Sequence, residues 1–239
     1  MISNAGAFNT FSRMLDSGDA SREQDQLTRC RNGASTIILF LGLNDDPRNH
    51  GFDDSNYWIY NSLNAKEVVN SDADPFTNVE GAFLSFGSLR NPGQSPHTAQ
   101  IISFSDYDLW NEFSASPWKK RGDRYESIKD QVSEAMLDFT CRQFPQLKDL
   151  IAFQELSTPL SVESFTKHRG GMVYGQPCTP DRLFENSWRT NTSVKGLYLT
   201  GSDVGMPGVN GAMMGGVMTA ARILGVFGFP RIFATAYSN

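Results

Sequence analysis

Cysteine and histidine are scarce in this chain of 239 residues, which has three of each. Cys30, Cys141 and Cys178 are far apart and odd in number. That excludes a disulfide framework and a cysteine-based metal pattern, and it fits a reducing compartment. With only His50, His97 and His168, no Ser-His-Asp or Cys-His constellation forms, so no metal site is expected and no catalytic residue is named. A basic stripe is missing too: the net charge is -5, and Lys119, Lys120, Arg121 and Arg124 alternate with Asp123 and Glu126. Such a cluster is a solvated turn rather than a nucleic-acid surface. The opening MISNAGAFNTFSRML has no basic segment followed by an apolar run, so it is no secretory signal. The longest apolar tract, Met206 to Phe229, carries Arg222 and is interrupted by Gly225 and Gly228, with Pro230 just beyond, a poor membrane span.

What is present is ordinary for a protein with a real core, 39% hydrophobic and 20% charged residues. Met1 to Ser3 read as the end of a strand, Asn4-Ala5-Gly6 as a tight turn, and Ala7 to Leu15 as a short helix. A strand end at the very start leads to the expectation that the natural product begins upstream, or that this is one part of a split protein. Asp16 to Arg31 is a polar crossing. Four β-rich runs follow, Ala34–Leu43, Ser55–Ser62, Gly81–Leu89 and Thr98–Tyr107, and their turn chemistry implies a mostly antiparallel sheet. Tyr125, Ile128, Val132, Ala135, Met136 and Phe139 share one face of a helix that stops before Pro145. The expected fold class is therefore α/β (α+β), an antiparallel sheet with a backing helix over about 33–156. Residues 157–239 change character: a turn-rich stretch, the short strand GLYLTG, then a helix from Pro207 toward Leu224.

That last region holds the chemistry. GLYLTGSDVGMPGVNGAMMGG places seven glycines around a single acid, Asp203. Pro207 and Gly208 mark a helix N-terminus, where backbone N–H groups lack partners and the macrodipole is positive. Gly208, Gly211, Ala212, Gly215, Thr219 and Ala220 read as a stripe of small residues that something can approach closely. A strand, Gly-Ser-Asp and such a helix start suit a ligand with a polyol and an electron-poor ring, and a flavin nucleotide fits. Two plainer readings stand beside this one: a helix packed tightly on its own neighbour, and Asp203 as a helix cap.

The run GLYLTGSDVGMPGVNGAMMGGVMTAARILG resembles the C-terminal flavin-binding motif of the phytoene desaturase, carotenoid isomerase and retinol saturase family of FAD-dependent oxidoreductases. ISNAG, SNYWIY, FLSFGSL, HTAQIISF and TPLSVESFTKHRGGMVYG resemble further segments of that family's C-terminal half. The resemblance implies that residues 1–32 and 157–239 are parts of an FAD-binding, Rossmann-type domain around a substrate domain at 33–156. It puts Gly201 and Asp203 near the ribityl-phosphate region, with Pro207, Gly208, Val209, Gly211 and Ala212 by the flavin ring. It also implies that the turn at Asn4–Gly6 lies near Gly201.

The implied activity is saturation or desaturation of C=C bonds in a carotenoid, retinoid or similar polyene lipid. Cis-trans isomerisation of a carotenoid and a non-catalytic remnant are the alternatives. The family's G-x-G-x-x-G fingerprint for the ADP half of FAD is missing from the sequence, so an N-terminal FAD-binding half is the implied partner. His168 and Arg169 face substrate or form a surface turn; Tyr174 covers the flavin or packs. Tyr57, Trp58, Tyr60, Trp110 and Trp118 divide between core, rim and a polyene tunnel. Phe227, Phe229, Ile232 and Phe233 suit contact with a bilayer, so the expected location is the cytoplasm or a membrane periphery, in a plastid if the source is eukaryotic.

Overall fold

The computed structural model describes residues 1–16, 18–62, 79–91, 93–184 and 188–236. They fall into two compact units, Ser35–Ser164 and the combination of Met1–Ala34 with Phe165–Asn239.

The Ser35–Ser164 unit is built on a five-stranded sheet. Its strands are β2 (Ser35–Leu43), β3 (Asn56–Tyr60), β4 (Gly81–Ser85), β5 (His97–Ser105) and β6 (Ile151–Ser157). They lie in the order β3-β4-β5-β2-β6, with every pairing antiparallel. The expected antiparallel sheet is thus present, with a fifth strand, β6, that the sequence reading did not include. β2 explains the arrangement. Its alternate residues Ile37, Leu39, Leu41 and Leu43 are buried on one face, because successive side chains in a strand point to opposite sides. The helix α3 (Asp123–Gln143) covers that face with Tyr125, Val132, Met136 and Phe139. Asp123 and Glu126 in its first turn and Arg142 in its last complement the helix dipole. Trp110, fully buried, donates its indole N–H to Ser105 Oγ at 2.9 Å.

The opposite face of the sheet carries Phe40, Trp58, Tyr60, Phe104 and Phe153, all exposed. Trp58 stacks on Tyr60 with centroids 6.3 Å apart and meets Phe83 edge-on at 4.8 Å. Strands with one covered face normally alternate apolar with polar, and this sheet does not.

The second unit is smaller in its regular structure. Strands β1 (Ile2–Ser3) and β7 (Tyr198–Leu199) pair in parallel. Around them lie the helices α1 (Ala7–Arg13), α2 (Ser21–Thr28), α5 (Pro180–Phe184), α6 (Gly208–Leu224) and α7 (Gly228–Ala236); α4 (Pro159–Thr166) spans the junction in sequence. The core joins Ala7, Phe11, Leu27, Trp188, Leu197, Leu199 and Val204. Phe11 and Trp188 stack at 5.6 Å. The polar crossing at Asp16–Arg31 contains α2. Glu23 in that helix is buried and accepts the Ser193 N–H at 2.7 Å as well as the Ser193 hydroxyl. Among the described residues no helix is long and apolar enough to cross a membrane.

Two predictions follow from this packing. Leu39→Ala removes a fully buried side chain and should cost ~2–5 kcal/mol of unfolding free energy. Phe40→Ala, next to it but 44% exposed, should cost less than about 1 kcal/mol, as urea titration will report. The second concerns acid. Arg48 hydrogen-bonds Asp46 and holds its carboxyl at about 2, below the ordinary 3.8. A carboxyl lowered in the folded state stabilises above its unfolded pKa and loses that contribution as the pH falls through the folded one. Asp46→Asn should therefore remove a small component of acid destabilisation between about pH 3.8 and 2, seen in Tm against pH.

Candidate functional site

The glycine-rich segment begins where β7 ends. Thr200 N–H bonds Ser3 O at 3.0 Å, so the exit of β7 is held against β1. Gly201 then takes φ of +89°, in the left-handed region that glycine tolerates, and a Cβ there would overlap Asn4 Oδ1. The turn at Asn4–Gly6 thus lies against Gly201, as the resemblance implies. The chain folds back in a tight loop, with Val204 and Gly205 N–H both reaching Gly201 O at 3.2 and 3.1 Å.

Asp203 turns inward and is 7% exposed. Its Oδ2 accepts the Ala7 N–H at 2.7 Å, and its Oδ1 accepts the Gln176 N–H at 3.0 Å. Ala7 is the first residue of α1, so the carboxylate satisfies an N–H that the helix cannot and sits at the positive end of its dipole. The cap is supplied to a helix almost two hundred residues away in sequence. A sugar contact can use only the lone pairs left over, since an ionised carboxylate offers about four. Gly175, at φ +77°, leaves room for this arrangement: a Cβ would come within 2.6 Å of Asp203 Oδ1 and Ser202 Oγ.

One contributor has no counterpart in the sequence reading. Arg182, in α5, is buried, and its guanidinium donates to the carbonyls of Gln176, Ser202, Asp203 and Gly205. Four carbonyl partners fix the loop that leads into α6. The local signal is Thr179-Pro180-Asp181, a helix start whose Thr179 Oγ1 accepts the Arg182 N–H at 3.3 Å. In the sequence Arg182 looks like a surface charge.

α6 then packs on that loop backbone to backbone. A Cβ on Gly211 would overlap Met206 O, one on Gly215 would overlap Gly201 O, and one on Gly205 would overlap Gly211 O. Thr219 closes the seam through its hydroxyl, 2.8 Å from Leu199 O. The close approach read from the glycines is therefore made, at Gly211 and Gly215, by the chain's own backbone. Ala212 is half-buried beside the seam. Ala220 departs from the expected stripe: it is exposed, since nine residues at 100° each put it opposite Gly211, and Ala221 is the buried residue.

The start of α6 is different. Pro207 is the N-cap rather than the first helical residue, and no side chain caps the helix. Gly208, at φ +85°, has open space where a side chain would be. Val209 is 86% exposed. So Pro207, Gly208 and Val209 present an uncapped helix N-terminus outward, while Gly201, Asp203 and Gly211 lie within the fold. Tyr174 is exposed, and His168 Nδ1 lies 3.2 Å from Met172 O. Among the described residues no group of His, Cys, Asp or Glu comes together to hold a metal.

A mixed α/β chain with an antiparallel sheet and a glycine-rich strand–loop–helix is the class this geometry defines, and the comparisons are specific within it. No protein-family model matches. Over 241 residues the chain is 28% identical to the all-trans-retinol 13,14-reductase of Danio rerio, covering 94% of this chain and 39% of that protein. It is equally similar, over 247 residues, to an inactive all-trans-retinol 13,14-reductase of the same organism, with the same coverage. Prolycopene isomerase 2, chloroplastic, of an Oncidium hybrid cultivar is 24% identical over 239 residues, covering 97% of this chain and 38% of that protein. The chain is thus related to the retinol saturase and carotenoid isomerase family over nearly all of its length, and it spans about two fifths of these curated relatives.

The seam gives a direct test. Gly215→Ala must push a methyl into the Gly201 carbonyl, so the glycine-rich unit should lose several kcal/mol or fail to fold. Gly216→Ala has only Thr200 Oγ1 at 4.0 Å and should be neutral or stabilising by up to about 1 kcal/mol. Thermal unfolding of the pair checks this.

Proposed function

We propose that this chain is the C-terminal portion of an FAD-dependent oxidoreductase acting on C=C bonds of a polyene lipid of the carotenoid or retinoid class. The observation that carries the reading is the uncapped start of α6, open at Gly208 and Val209, on a helix whose next glycines are held rigidly against the chain. Such an N-terminus accommodates the pyrimidine edge of a flavin, where negative charge gathers on reduction. When bound, the flavin supplies hydride transfer at N5; the chain supplies orientation and electrostatics.

Within this reading Pro207, Gly208 and Val209 face the ring. Gly211 and Ala212 set the position of the helix behind them. Asp203 and Gly201 shape the loop that meets the ribityl side, and Asp203 does so mainly by tying that loop to α1. Together, Met1–Ala34 and Phe165–Asn239 form part of a Rossmann-type FAD domain, completed by a dinucleotide-binding half that carries the missing fingerprint. In the Ser35–Ser164 unit, the aromatic open face of the sheet suits an elongated apolar substrate. The names of the relatives support this substrate class. A second reading, a chain without turnover, is favoured by the relative named as inactive.

The test is a fusion of this chain behind the part of the Danio rerio reductase that it does not match. The fusion should purify yellow, whereas the chain alone should elute colourless from gel filtration. Val209→Asp in the fusion separates ligand from fold. An acid in the first turn stabilises a helix by about 0.3–1 kcal/mol, yet it would repel the anionic ring edge and should lower flavin affinity about tenfold. Unchanged flavin content in Val209→Asp would mean that α6 does not face the ring.

A further inference from the structure

One end of the open sheet face carries a charge that an aromatic surface does not need. Strand register sorts this face into rows. Asn56, Ser85 and Gln100 stand side by side across β3, β4 and β5. The next row, two residues along each strand and ~7 Å away, is Trp58, Phe83, Ile102 and Ile38. A polar row thus borders an apolar one on the same surface.

Arg90 lies over the polar row. It ends a short turn, Gly87–Arg90, that follows β4. Ser88 in that turn is buried and fastens it to β5: its hydroxyl donates to Thr98 O at 3.1 Å and accepts the Thr98 N–H at 3.0 Å. The Arg90 guanidinium donates through Nη2 to Asn56 Oδ1 and to Ser85 Oγ, the latter at 3.3 Å. Ser85 Oγ in turn donates to Asn56 Oδ1 at 3.1 Å. Both partners are neutral oxygens, so among the described residues no carboxylate balances the cation. Nε and Nη1 remain as donors on an exposed side chain. Glu155, the acid of the same row at the far edge in β6, is paired with Lys129 Nζ at 2.6 Å.

We propose that Arg90 selects the polar end of the substrate. The open face takes a single-chain amphiphile with a terminal carboxylate, its chain along the apolar rows and its head on the guanidinium. Charge complementarity picks that head group. A hydrogen bond between a guanidinium and a carboxylate has both partners charged, and it is stronger than one to a hydroxyl or an ester. Asn56 and Ser85 are positioning residues that hold Nη2 and leave the other two nitrogens to the ligand. A head anchored at a fixed point also sets which carbons of the chain lie over which rings. The inference rests on the open face being where the apolar substrate lies, and the experiment separates the two.

Parinaric acid, a fluorescent fatty acid with a conjugated chain, and its methyl ester test it in titrations of the chain. The two probes share their hydrocarbon and differ in charge. The acid should bind about tenfold tighter than the ester, and the preference should shrink as salt rises. Arg90→Gln should erase the preference by weakening the acid alone about tenfold, with circular dichroism unchanged because the side chain lies outside the core. Asn56→Asp is nearly isosteric and gives Arg90 an internal carboxylate, so it should have the same effect with the cation still present. Trp58→Ala should weaken acid and ester alike. Two results would overturn the proposal. If acid and ester bind equally, Arg90→Gln changes neither and Trp58→Ala weakens both, the face is an apolar site that Arg90 does not select for, and the reading of it as the substrate face survives. If neither probe binds, or Trp58→Ala leaves both unchanged, that reading fails and the proposal falls with it.

Discussion

The contact on which the glycine-rich unit depends is the one between bare backbones, where α6 lies on residues 201–206 with no side chain between them. Three glycines make it: Gly205, Gly211 and Gly215. Because the helix rests directly on the exit of β7, its direction and its first turn are set by the main chain, which varies far less than any rotamer. Asp203 and Arg182 work from the other side of the same loop. The carboxylate reaches α1 and Gln176, and the guanidinium gathers four carbonyls. A loop held from both sides delivers an uncapped helix start at a fixed place. An exposed loop of glycines without this seam would be too mobile to present one.

The Ser35–Ser164 unit solves the opposite problem with large side chains. One face of its sheet is filled by aliphatic residues and α3, and the other keeps aromatic rings in the open. Exposed rings on a sheet are costly in water, and contiguous apolar patches on soluble proteins generally mark contact surfaces. The pairing of Trp58 with Tyr60 and Phe83 shows that this surface is organised by its own ring contacts.

How much of this was legible in the sequence depended on whether the local pattern and the tertiary role agreed. Strands β2 to β5 and α3 were legible because their apolar residues recur at the period of the element itself. β6 was not: only Leu156 in it is buried, so no alternation marks it. α2 hides in a polar stretch because one of its two buried residues is Glu23, which reads as surface until Ser193 is seen beside it. The glycines announced a close approach, but which atoms approach is a tertiary fact, and a sequence reading has no access to Met206 O or Gly201 O. The family resemblance reached further than the spacing did, correctly placing Asn4–Gly6 beside Gly201. It said nothing of Arg182.

The order of these segments along the chain has a consequence for synthesis. The first residues contribute β1 and α1, yet their partners are β7 and the Asp203 loop, some 195 residues later. Domains generally fold as units while the chain is being made, the N-terminal one first. Here that order is reversed in part: the sheet of Ser35–Ser164 is complete long before Tyr198 emerges. Residues 1–34 must wait, with Phe11 and Ala7 uncovered, until Trp188, Leu199 and Val204 have been made. A nascent chain of this design holds an unpaired strand and an apolar helix throughout the synthesis of the intervening unit, a substrate for chaperones that a simple end-to-end domain order would not produce.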